Sequence, residues 1–110
     1  MKISKELVKG SLALMVLGVL EEEEMYGYQI IGVIAARSGS VFEMKEGTLY
    51  PILHALEKEG YLTSYRAESE SGRERKYYKI TAVGLLALKM RKEEWQTFSH
   101  AVDAVLAGGV

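Results

Sequence analysis

Arg73, Arg75 and Lys76 stand close together in GRERKYYKIT, a short distance after a helix-like stretch, GTLYPILHALEKEG. Guanidinium and ammonium groups on an extended segment can hold phosphate, and a polar helix face just upstream can enter a groove. The plainer alternative is that these cations are solubilising residues on an edge strand. Other chemistry is sparse. His54 and His100 lie far apart on expected polar faces, and no further ligands stand at metal spacing. The chain has no Cys, which excludes disulfides, thiolate metal sites and Cys nucleophiles. No Gly-rich phosphate loop, nucleophile elbow or paired-carboxylate arrangement occurs. The expectation is a binding protein with no cofactor, no metal and no catalytic residue.

The elements that must position the cations follow from pattern. A first helix is expected from about Lys5 to Leu20, capped by Ser4, with Ile3 placed to pack on Val8. From Leu12 onward it is apolar almost all round and should be buried on more than one side. The run Glu21 to Glu24 ends it and reads as a solvated connector. A second helix is expected over Gly27 to Arg37, with Ile30, Ile31, Ile34 and Ala35 inward and Ser38-Gly39-Ser40 as the stop. A third, roughly Glu46 to Glu59, places Leu49, Ile52, Leu53 and Leu56 at i, i+3, i+4 and i+7. Its opposite face carries Gly47, Pro51, His54 and Lys58, flanked by Thr48 and Tyr50. Pro51 is expected near the first turn, where a missing N–H costs little.

Tyr61 to Ala67 and Arg75 to Ile80 read as two strands joined by a tip over Glu68 to Glu74. Ile80 and Tyr78 should share one side, with Arg75, Tyr77 and Lys79 on the other. Two helices followed by a basic hairpin suit a winged helix-turn-helix, mainly α with a small antiparallel β-hairpin, over residues 1–81.

A terminal helix over residues 82–110, capped by Thr81 and ending near Ala107, completes the unit. Its apolar stripe includes Val83, Leu86, Ala87, Met90, Phe98, Val102 and Val105, and Leu88, Trp95 and Leu106 widen it. So broad a stripe exceeds what one small domain can cover. A second copy of the chain is the economical cover, with Met90, Phe98, Val102 and Val105 at the interface.

Composition sets bounds around this picture. At 110 residues and 48% hydrophobic, the chain makes one domain with a modest core. A net charge of −1 argues against a non-specific nucleic-acid binder. Yet charge is segregated, since Tyr61 to Ile80 holds five cations against three carboxylates. The longest apolar run is too short to span a bilayer and lacks a cleavage pattern, so a soluble, cytoplasmic protein is expected.

Three segments, MYGYQI at 25–30, GTLYPILHALEKEGYL at 47–62 and GRERKYYKIT at 72–81, together resemble PadR-type transcriptional regulators of the short-tailed kind. The resemblance extends from Leu7 to Leu106. It implies a homodimeric repressor whose third helix and wing bind a near-palindromic operator in double-stranded DNA. Carried onto matching positions, the DNA-facing set is Tyr26, Lys45, Thr48, Tyr50, Pro51, His54, Arg73, Arg75 and Lys76. Glu46 departs from the small or prolyl residue often found before Gly47, and brings a carboxylate close to where phosphate would lie. Trp95, in EEWQTF, matches the Trp with which drug-sensing members line a pore at the dimer centre. The matching ligand set is Leu7, Gly10, Ser11, Leu14 and Gly18, with Ala87, Arg91, Trp95 and Ser99. A flat aromatic effector stacked between two indoles is the implied ligand, and simple packing of Trp95 is the alternative. The rival to DNA reading is a winged-helix module that docks on an acidic protein through its wing.

Overall fold

The first helix expected from the sequence is two helices. In the computed structural model, which describes residues 1–109, α1 spans Lys5–Lys9 and α2 spans Leu12–Leu20. Ser4 caps α1 as expected, its hydroxyl accepting from the Leu7 N–H at 3.4 Å. The break falls at Gly10 and Ser11. Glycine is a weak helix former, and the Ser11 hydroxyl donates to the Val8 carbonyl at 2.9 Å, a local bond that competes with the helical ladder. Beyond the break α2 is buried as its composition requires, with Val16, Leu17, Val19 and Leu20 in the core.

The next two helices follow their periodicity closely. α3 covers Gly27–Arg37 and buries Ile30 and Ile34; α4 covers Glu46–Lys58 and buries Leu49, Leu53 and Leu56. Gly60, at φ +83°, takes the left-handed conformation that ends α4. Pro51 lies in the second turn rather than near the first, so the Gly47 carbonyl has no i+4 N–H to accept from. Gly47 and Pro51 are both exposed, and water can satisfy that carbonyl.

Strands β2 (Leu62–Glu68) and β3 (Glu74–Ile80) form the expected hairpin. The sheet has a third, unexpected strand: β1, Met25–Tyr26, pairs antiparallel with β3, giving the order β1-β3-β2. Tyr26 and Tyr65 both face Tyr77 across the register, and Leu62 pairs with Ile80. Tyr78, Leu62 and Met25 close the core over α2, α3 and α4, and Leu88 of the last helix joins them.

That last helix, α5, spans Ala82–Ala107 behind the Thr81 cap. Only Gly84 and Leu88 are buried along it. At about 1.5 Å per residue it is about 39 Å long, and it accounts for the longest dimension of the molecule, 59 × 32 × 21 Å overall. The first turns pack on the domain and the rest projects away from it.

The connector Glu21 to Glu24 is exposed, as expected, yet two of its carboxylates have partners on different elements. Glu21 pairs with Lys92 of α5 at 3.0 Å and Glu22 with Arg37 of α3, while Glu24 raises the pKa of Tyr65 on β2. Each exposed ion pair contributes only about 0–1 kcal/mol.

Candidate nucleic-acid interface

The face of α4 opposite the core carries Gly47, Thr48, Pro51, His54 and Lys58, all exposed. Lys45 occupies the N-cap position and makes no side-chain cap bond. The Thr48 N–H donates to the Lys45 carbonyl at 3.0 Å, so the N–H groups of Glu46 and Gly47 are the ones left to solvent or to an anion, where the helix dipole favours negative charge. Glu46 sits in that first turn and is exposed. Its carboxylate faces the Tyr28 hydroxyl of α3, and this hydrogen bond, with the charge behind it, raises the Tyr28 pKa.

Tyr50, expected on the flank of the groove-facing side, is half-buried and packs against the core. Its hydroxyl lies where a Cβ on Gly27 would be, 2.5 Å away, so Gly27 makes room for it at the start of α3. An aromatic ring at that register is drawn inward because it can fill space between α3 and α4.

The wing is built by its turn. Ser69 N–H donates to the Arg73 carbonyl and Gly72 N–H to the Ser69 carbonyl, each at 2.9 Å. Gly72 takes φ +81°, the left-handed position that such a three-residue hairpin loop needs. The three cations expected to act together have different settings, Arg73 at the end of the loop and Arg75 and Lys76 on opposite faces of β3. Arg73 is exposed at the tip with no ion pair among the described residues. Arg75 is half-buried, its guanidinium 4.9 Å from the Tyr26 ring centroid and 5.6 Å from that of Tyr28. Its Nε is buried without a hydrogen-bond partner. Lys76 turns to the other face, with Nζ 5.5 Å from the Tyr78 ring centroid.

Around Arg75 the outer face of the sheet is aromatic. Tyr77 stacks on Tyr65 at 5.5 Å and meets Tyr26 edge-on at 5.4 Å. Tyr28, Tyr65 and Tyr77 were absent from the expected site. The signal was present in MYGY, where two tyrosines flank a glycine, but the partners they meet come from β3. Tyr78, by contrast, is in the core, and its burial raises its pKa.

The expected dimer residues are all exposed on α5: Met90 71%, Phe98 57%, Val102 39% and Val105 78%. Trp95 is 47% exposed and leans on Phe98, ring centroids 6.0 Å apart. The other ligand candidates are scattered within one copy. Leu7 and Gly10 are exposed, whereas Ser11, Leu14, Gly18, Ala87, Arg91 and Ser99 are half-buried. Gly18 alone among the nine lines the groove of about 530 Å³ between α2 and α3, beside Met15, Ile34 and Phe42. None lines the groove under Leu85 and Leu88. No group of three or more metal-ligating side chains is present among the described residues. Nor is any helix among them long and apolar enough to cross a membrane.

Comparison with known proteins gives this geometry a family. The transcriptional regulator PadR-like family matches residues 16–90. The chain is similar to an uncharacterised protein of Lysinibacillus sphaericus, 31% identical over 106 residues, which are 96% of this chain and 97% of that one. Among solved structures it is similar to a transcriptional regulator from Clostridium thermocellum, with 32% identity, TM-score 0.83, and coverage of 91% of this chain and 97% of that one. A PadR-like transcriptional regulator from Bacillus cereus has 31% identity and TM-score 0.83, over 96% of this chain and 100% of that one. With a three-stranded wing behind α4 and a family match over most of its length, the chain belongs to the PadR-like family of transcriptional regulators.

Proposed function

We propose that the chain is a homodimeric repressor that reads a near-palindromic operator with α4 and holds the flanking phosphates with its wing. Membership of a family of transcriptional regulators sets the class, and sets it apart from enzymes. One observation carries the finer reading. The exposed, uncapped start of α4 lies on the same side of the molecule as Arg75 and the tyrosines around it, joined through Tyr28 and Glu46. Small and polar groups at Gly47, Thr48 and His54 allow close approach to base edges, while Lys45 and Arg73 meet phosphate. The exposed apolar residues of α5 support self-association, since a monomer would leave them to water. A dimer places two α4 helices at a fixed separation, which is what a palindromic site needs. A planar aromatic effector at Trp95 is the regulatory part of the proposal, supported by the half-exposed indole beside Phe98.

The test is selection of bound duplexes from a random pool by the purified protein, followed by titration of the winner at several salt concentrations. The expected result is a two-fold symmetric sequence, bound with a steep salt dependence. His54→Ala should lose discrimination at one position of each half-site, by about 1–3 kcal/mol. Absence of salt-dependent duplex binding for any sequence would transfer the case to an acidic protein partner for the wing.

A further inference from the structure

The junction between α4 and α5 is tighter than a connection between two structural layers requires. The Thr81 hydroxyl donates to the Gly60 carbonyl at 2.6 Å, just past the end of α4. The same oxygen accepts from the Gly84 N–H at 3.0 Å, in the first turn of α5. The Thr81 N–H donates to the Tyr61 carbonyl at 3.0 Å. Gly84 is buried here for want of a side chain. A Cβ on it would collide with the Tyr61 carbonyl oxygen and lie 2.8 Å from Ile80 Cγ1. One side chain and one missing side chain thus hold the start of α5 against the end of α4.

We infer that the Thr81 hydroxyl is the clamp through which the angle of α5 sets the half-site spacing that the dimer accepts, which makes Thr81 a positioning residue for DNA reading. The inference rests on the proposed homodimeric reading. If α5 is the dimer element, its direction fixes where each α4 points. α4 is about 20 Å long, so a swing of about 10° at the junction moves its far end by about 3.5 Å. That is about one base-pair step along a strand, 3.4 Å. A firm junction therefore holds the dimer to one spacing, and a loose one tolerates neighbours. The other polar tie between α5 and its domain, Lys92 to Glu21, is exposed and screened by salt. The Thr81 bond to Gly60 is also exposed, but it joins uncharged groups and is not screened by salt; it acts with the backbone bond to Tyr61 and the packing of Gly84 and Leu88 at the root of α5.

Substitutions at Thr81 separate capping from clamping. Thr81→Val keeps the shape and loses both hydroxyl bonds. Thr81→Ser keeps both. Thr81→Asp still accepts from Gly84 N–H and suits a helix N-terminus, but its carboxylate cannot donate to the Gly60 carbonyl. The binding of full-length dimer would be measured to duplexes carrying the selected half-sites with the spacer changed by −1, 0, +1 and +2 base pairs. Wild type and Thr81→Ser should lose at least tenfold in affinity away from the preferred spacer. Thr81→Val and Thr81→Asp should bind the −1 and +1 spacers within about threefold of the best. Should Thr81→Val fail to fold, the capped Thr81→Asp decides the matter. Equal losses at every spacer, with the wild-type preference retained, would reduce Thr81 to an ordinary helix cap and overturn the clamp. A wild type that is monomeric, or that binds no duplex, would instead bring down the parent reading and the clamp with it.

Discussion

Replacing Arg75 by Ala, beside the same change at Arg73, asks whether the wing's arginines are equivalent. They are two residues apart; the sequence puts Arg73 in the tip and Arg75 on the return strand but does not show what either side chain meets. In the structure Arg73 is exposed at the tip, while the Arg75 guanidinium lies 4.9 Å from the Tyr26 ring and 5.6 Å from the Tyr28 ring. A cation on an aromatic face contributes about 0.5–1 kcal/mol when exposed and about 2 when desolvated. Tyr26 is half-buried and Tyr28 is 57% exposed, so the two contacts sum to about 1–2 kcal/mol. Loss of the packed arginine stem adds to this. Arg73→Ala should stay within about 0.5 kcal/mol of wild type. In thermal unfolding at matched protein concentration, Arg75→Ala should lower Tm by about 5–10 °C and Arg73→Ala by almost nothing.

DNA titration completes the comparison. A cation that neutralises one phosphate contributes about 0.9 to the slope of log affinity against log salt. Arg73→Ala should lower the slope by about that much, uniformly across sequences. Arg75→Lys keeps the charge but not the planar stack, so it should recover salt dependence better than stability. The reasoning is refuted if Arg73→Ala and Arg75→Ala share one Tm and one slope. The tyrosines would then be neighbours of Arg75 without holding it.

Two further outcomes follow from the exposed face of α5. Phe98→Asp should convert the dimer to monomer in sedimentation velocity, because an unpaired charge buried in the interface costs several kcal/mol; wild type remaining monomeric at micromolar concentration would remove the premise. Trp95 is the chain's only tryptophan, so planar aromatic compounds that bind beside it should quench its fluorescence saturably and weaken operator binding, and Trp95→Ala should abolish the loss of operator binding. An indole that no such compound quenches, and that neutral quenchers cannot reach in the dimer, would make it packing.

What was legible in the sequence was what repeats locally. α3, α4 and α5 were readable because apolar residues recur at helical spacing and end at Gly60, Ser38-Gly39 or Gly108. The hairpin was readable from alternation around Ser71-Gly72. The misses share one physical character: each depends on an atom supplied from elsewhere or on a bond that periodicity does not register. Ser11 breaks the first helix with a hydroxyl bond to Val8, just ahead of the apolar run that begins at Leu12. β1 is two residues long and offers no alternation; it is a strand only because β3 supplies a partner about fifty positions later. Tyr50 points inward because Gly27 leaves space, and Arg75 is occupied because Tyr26 and Tyr28 come beneath it. Charge and size are visible in a sequence, whereas occupancy is a tertiary property.

The same distinction bears on how a signal at Trp95 would reach the reader. α5 has two parts with different mechanical roles. Its first turns are bonded through Thr81 and packed through Gly84 and Leu88; beyond Lys92, its side chains are almost all exposed in one copy. Trp95 and Phe98 lie in the projecting part, about 20 Å of helix away from the junction. A ligand between two indoles touches nothing in α4, so its direct route to DNA binding is to change how two α5 helices cross. A helix transmits such a change as a rigid rod, so the effect at the reader depends on the stiffness of its root. This ties the effector to the clamp. With Thr81→Asp in place, a compound that quenches Trp95 should still bind, but its power to release the operator should fall. Release undiminished in that variant would mean that the signal travels by another route, through contacts of the partner copy with α1 and α2.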